Sequence, residues 1–184
     1  ETADQPLLGA LYYLDRALAP FTELRRGTVR DLLAREIAVI ALADVDALTP
    51  LETDALGRWV EEGGVLVRFA GPRLAARPDP LLPVRLRGGD RQLGGALSWQ
   101  QPAQLAPFPQ DSPFAGLVVP DDVRITRQVL AEPALDLSHR TWATLTDGTP
   151  LVTGETRGRG AIALFHVTAN TEWSNLPLAG LFVA

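Results

Sequence analysis

The chain has 184 residues and a formal charge of −5, with 46% hydrophobic and 21% charged residues, which is ordinary for one well-buried globular domain. The negative balance gives no electrostatic basis for binding nucleic acid or an anionic membrane, and all 17 basic residues are arginine. There is no cysteine, so disulfides, thiolate metal sites and a cysteine nucleophile are excluded.

No apolar run reaches the roughly 20 residues needed to span a bilayer. The absence of any methionine, position 1 included, reads as a segment excised from a longer protein or a processed product. We read residues 1–184 as a single domain with a loop-rich insertion over 72–122.

In chain order, residues 8–19 predict a helix with Leu8, Leu11, Tyr12, Ala17 and Leu18 among its core positions, closed by Pro20. Phe21 to Leu24 fits a short strand. Thr28, with Asp31 three residues on, opens a helix to Arg35. Ile37 to Val45 is apolar enough for the centre of a parallel sheet. Thr49, Pro50 and Glu52 then combine a capping hydroxyl, a proline at the first helical position and a glutamate placed to bond back. Leu51, Ala55, Leu56, Trp59 and Val60 share one face of that helix, which ends at Gly63-Gly64. Val65 to Phe69 is the next buried strand. This strand–helix–strand unit predicts parallel pairing with Trp59 largely buried against the sheet, and the alternation is that of a doubly wound fold.

The prolines and glycine pairs of residues 72–122 predict mostly irregular chain, with one strand over Leu82 to Arg87. From Val123 onward the chain is β-rich: Ile125–Ala131, Thr141–Leu145, Leu151–Thr156 and Ala161–Val167, separated by turns at Asp147-Gly148 and Gly158-Arg-Gly160. A last helix starts at Ser174 or Asn175.

The helix–Gly–Gly–strand segment is accompanied by Leu145-Thr-Asp-Gly-Thr-Pro-Leu-Val152, by Gly158-Arg-Gly-Ala-Ile-Ala-Leu-Phe-His166 and by Glu172-Trp-Ser-Asn-Leu-Pro-Leu. Together they resemble the class I glutamine-amidotransferase-like domain of large bacterial membrane-anchored proteins of unknown function. Those proteins carry an N-terminal transmembrane region of the aerotolerance type. The resemblance spans nearly the whole chain. It implies a flavodoxin-like three-layer α/β/α core with a β-rich C-terminal half, held outside the bilayer as a domain of a membrane-anchored parent. Active members of that superfamily place a cysteine on a sharp strand-to-helix turn, with histidine and glutamate near the end of the domain. The matching turn here is Phe69-Ala-Gly-Pro72, which offers no nucleophile. His166 and Glu172 fall in the right region without the tight His-x-Glu spacing, so no catalytic role is carried onto them.

The residues placed at the ligand-binding edge are therefore Asp44, Ala70, Gly71, His166 and Glu172. His166 ends a strand, where it serves either chemistry or a bond to neighbouring loop backbone, and the missing nucleophile favours the second. Asp44 and Asp46 fit a turn better than a metal or sugar site. Ser98, Ser112, Ser138 and Ser174 lack the Gly-x-Ser-x-Gly context of a serine hydrolase. Gly88-Gly89 and Gly94-Gly95 match no dinucleotide or phosphate loop, and no metal or other cofactor is expected. Trp99, Phe108 and Phe114 would either hold a sugar or peptide or pin the central loop to the core, and we favour pinning. The resulting expectation is a non-catalytic binding or scaffolding module whose partner is a protein or small molecule. The rivals are a hydrolase of changed chemistry using His166, and a sugar or peptide binder using Trp99.

Overall fold

A computed structural model describes residues 11–87 and 96–180. Its main sheet has five strands in the order β1 (Val39–Ala43), β2 (Val65–Phe69), β7 (Gly160–Phe165), β6 (Pro150–Arg157) and β5 (Thr141–Thr144). β1, β2 and β7 run parallel, while β6 and β5 join antiparallel, so the sheet is mixed. A second, two-stranded ribbon pairs β3 (Ala96–Ala103) with β4 (Ile125–Val129).

The strand–helix–strand unit forms as its residues dictate. Thr49 accepts from the Glu52 backbone N–H and Glu52 bonds back to the Thr49 N–H at 2.9 Å, fixing the start of helix α3 (Pro50–Glu61). The same reciprocal pair, Thr28 and Asp31, opens α2 (Val29–Leu33). α2 and α3 cover one face of the sheet, with Val29, Leu56 and Val60 packed on Ile40, Leu42, Leu66 and Ile162. On the opposite face Leu14 of α1 (Tyr12–Leu18) packs on Ala43 and Phe69, and Phe69 stacks on Phe165 at 4.8 Å. Helices thus lie on both sides of the sheet. No helix among the described residues is long and apolar enough to cross a membrane.

Several expectations are corrected. Leu51 is 76% exposed, because it sits in the first turn, beyond the sheet. Trp59 does pack against the sheet core as expected: its ring lies over Gly64, where any Cβ would collide with it, and its indole N–H donates to the Ile37 carbonyl at 3.3 Å. In α1 the buried positions are Leu14 and Ala17, and the predicted start at Leu8 lies outside the described residues. Phe21–Leu24 forms no strand, and Phe21 is exposed, having no sheet edge to join. The final helix is one 3-10 turn, Leu176–Leu178.

The 72–122 stretch contains more structure than its prolines suggested. Helix α4 (Pro72–Ala76) follows β2 directly, and β3 is an eight-residue strand. Leu82–Arg87 makes a single bridge, Leu86 to Ala131, flanked by Arg87 N–H to Leu130 O and Glu132 N–H to Arg85 O, both 2.8 Å. Pro83 has no N–H to extend that ladder. Gly88-Gly89 and Gly94-Gly95 lie outside the described residues. Phe108 and Phe114 meet at 5.5 Å and, with Trp99, pack on the core formed by Leu105, Ile125, Leu145 and Val167. These aromatics pin the loop.

Candidate functional site

The candidate edge lies at the carboxyl ends of β1, β2 and β7. Asp44 follows β1 in the left-handed region, at φ 47°, which turns its carboxylate back across the sheet end. The carboxylate accepts from the Leu74 N–H at 2.9 Å and the Arg73 N–H at 3.3 Å, closing the first turn of α4. The Arg73 guanidinium, largely exposed, reaches Asp46 at 3.2 Å. Asp44 therefore joins the end of one parallel strand to the helix that follows its neighbour, a long-range helix cap rather than a cap on the turn after its own strand.

Gly71 sits directly against this group. A Cβ at position 71 would approach Asp44 Cβ to 2.9 Å and fall closer still to its carboxylate, so no side chain fits there. Ala70 is completely buried among Leu74, Val129, Leu164 and Trp173, and its N–H donates to Phe165 O at 2.8 Å. The turn after β2 is packed shut.

His166 is also fully buried. Its Nδ1 lies 2.8 Å from the Val129 carbonyl and its Nε2 3.0 Å from the Thr153 hydroxyl. A carbonyl only accepts, so Nδ1 carries the proton and Nε2 accepts from Thr153. Burial pushes the pKa of the ring down to about 4, against the Val129 hydrogen bond that raises it. The ring is neutral near pH 7 and both nitrogens are engaged. The His166 backbone carbonyl accepts from Val129 N–H at 2.9 Å, so His166 and Val129 tie the β3–β4 ribbon to the main sheet twice. Glu172 is exposed, with its N–H on the Asn170 side chain at 3.2 Å, and does not bond the ring. The structure therefore brings Asp44, Gly71 and α4 together and leaves Glu172 apart from His166.

Three polar features escaped the sequence reading. The first is Thr153, the ring partner on β6. The second is Arg68, 2% exposed on central strand β2, whose Nη1 reaches Asp79 at 2.5 Å and the Leu81 carbonyl at 3.2 Å. A charge inside the apolar run Val-Leu-Val-Arg-Phe was the available signal, since a buried guanidinium requires a partner. The third is a pair of further arginines that reach the same proline-rich stretch. Arg140 donates to Pro83 O at 2.7 Å and Arg157 to Pro80 O at 3.2 Å, and both also pair with Glu155. Carbonyls at 80, 81 and 83 are each held by a different arginine. Among the described residues no three His, Asp or Glu side chains converge as a metal site would require.

No known protein family and no curated protein matches the chain. Solved structures do. The cytoplasmic proteins STM3548 and STM1381 of Salmonella typhimurium superpose with TM-scores of 0.62 and 0.67 at 15% identity, covering 89% and 90% of this chain and 77% and 78% of theirs. A cold-adapted β-galactosidase from Rahnella sp. R3 gives 0.55 at 18% identity over 85% of this chain, which spans only 24% of that enzyme. At such identities the likeness establishes a shared mixed α/β fold alone.

Proposed function

We propose that this chain is a non-catalytic binding or scaffolding module with a flavodoxin-like, class I glutamine-amidotransferase-like core, carried by the membrane-anchored bacterial parent its sequence resembles. One observation carries this reading. The strand-to-helix turn where such folds hold a nucleophile is closed by Asp44, which bonds the helix start and fills the space beside Gly71. His166 adds to it, because a ring with both nitrogens engaged inside the core has no free nitrogen to act as a general base. The aromatic binder is disfavoured for a parallel reason: Trp99, Phe108 and Phe114 are occupied in covering a core. The remaining role is recognition of a protein or small-molecule partner by the outer surface.

The test is a pair of assays on the purified protein. Ammonia release from glutamine should not exceed a buffer control, and a serine-hydrolase probe should leave the protein unlabelled. Turnover of glutamine, or labelling that requires His166, would overturn the reading.

A further inference from the structure

β1 is an outer strand of the main sheet, bonded on one side to β2. Val65 N–H donates to the Ala38 carbonyl at 3.0 Å and Asp44 N–H to the Phe69 carbonyl at 3.1 Å. The two-residue period of a strand then directs residues 38, 40, 42 and 44 toward β2 and turns the N–H and C=O groups of Val39, Ala41 and Ala43 outward. None of these outward groups has a backbone partner among the described residues. The exposed segment of residues 19–28, which links α1 on one face to α2 on the other, makes no bond to them. Resting on the binding-module reading above, we propose that this edge takes an extended peptide strand of a partner protein, with apolar side chains at alternate positions, as the sixth strand of the sheet.

The two outer edges of the sheet differ. Beside β5, Leu105 bridges Leu145, Ala106 N–H donates to Thr144 O and Thr146 N–H to Gln104 O, both at 2.9 Å, so residues 104–106 cover that edge. β1 has no such cover among the described residues, and it lacks the devices that keep an exposed edge from pairing. Val-Ile-Ala-Leu-Ala holds no charge and no proline, and its register with β2 is unbroken. Its burial is that of an inner strand: Ile40 and Leu42 are buried with Val29, Leu56 and Val60 of α2 and α3, and Ala43 with Leu14 of α1 on the other face. Val39, 53% exposed, shares the α1 face with Ala41, Val65 and Val67, none of them fully buried, because α1 packs at the Ala43–Phe69 end. An incoming strand lays every second side chain beside this apolar strip, so valine, isoleucine or phenylalanine suits those positions. Main-chain bonds to residues 39, 41 and 43 set its register.

The probe is a synthetic peptide of residues 63–71, whose central part, Val65–Phe69, is the sequence that already pairs with β1 along its inner side. Amide hydrogen exchange reads the result residue by residue. In the free chain the N–H groups of Val39, Ala41 and Ala43 should exchange at least about tenfold faster than those of Ile40, Leu42 and Asp44. Saturating peptide should slow the outward set by about tenfold or more and leave the inward set near its starting rate, whereas a general gain in stability would slow both sets together. Val39→Glu, at a solvated position, puts a charge on the edge. It should weaken peptide binding by about tenfold or more in a calorimetric titration, with the urea midpoint little changed. Outward amides that are already slow in the free chain would mean that the edge is covered. Protection that grows with protein concentration without peptide would assign the edge to a second copy. Peptide that leaves the outward amides fast, or binds Val39→Glu equally well, would mean that β1 accepts no strand. Each of these overturns the proposal, while glutamine turnover would instead remove the non-catalytic reading on which it rests.

Discussion

The Asp44 carboxylate occupies the space that any side chain at position 71 would need, and from there it accepts the Leu74 N–H at 2.9 Å. One contact thus joins the end of β1 to the start of α4 and shuts the turn after β2. Gly71→Ala should cost about 1–3 kcal/mol by overpacking. Asp44→Gly removes the obstruction and suits φ 47°, yet loses the cap. The double variant should therefore be more stable than the sum of the single losses by at least about 0.5 kcal/mol in urea unfolding. Strict additivity would mean that the two residues do not constrain each other.

His166 gives a pH dependence with a definite sign. Its pKa is about 4 in the folded chain against 6.5 for the free side chain. Above pH 6.5 the ring is neutral in both states and the histidine adds no slope. Between about pH 6.5 and 4 the unfolded chain takes the proton and the folded one does not, so stability falls on acidification, by roughly 3 kcal/mol across that window. His166→Gln should remove this limb while leaving carboxylate effects at lower pH. An unchanged slope between pH 6.5 and 4 in that variant would show the ring to be protonated or solvated in the native protein.

How much could be read in advance followed from how local each cause was. Capping boxes, glycine stops and apolar runs act within a few residues, so Thr49 to Phe69 and β4 to β7 were legible. The pairing of β3 and the identity of the partner of His166 depend on contacts 13 to 37 residues away, which no local pattern encodes. Proline content misled for the segment at 72–87: Pro72 starts a helix, where a missing N–H costs nothing, and the prolines at 78–83 leave carbonyls free for arginines. That the turn Phe69-Ala-Gly-Pro72 carries no nucleophilic side chain was visible in the sequence. Its closure by Asp44 was not, because a glycine records no neighbour.

The Arg68–Asp79 pair allows a sharper test of that arginine-held segment. Arg68 is almost wholly buried and Asp79 is 14% exposed at the side chain. Asp79→Ala strands a buried guanidinium and should destabilise by about 3–5 kcal/mol. Arg68→Met together with Asp79→Leu removes both charges and should cost far less than Asp79→Ala alone. Chemical unfolding of the three proteins decides it. A double variant as unstable as the single one would mean that Arg68 works through its bond to Leu81 O rather than through charge pairing.

Placing a cysteine at the apparent nucleophile position should fail for a structural reason. Ala70 has no exposed surface and packs against Leu74, Val129, Leu164 and Trp173, so the thiol of Ala70→Cys points into the core. Apolar burial raises a thiol's pKa and keeps it protonated, whereas nucleophilic catalysis needs the thiolate. As the sole cysteine in the chain it can be followed without interference. Its reaction with a disulfide reagent should be slow in the native protein and rapid after unfolding, with no glutamine turnover gained. Fast native labelling would show that the turn opens to solvent. In that case the closure by Asp44, on which the non-catalytic reading rests, would be a minor population rather than the resting state.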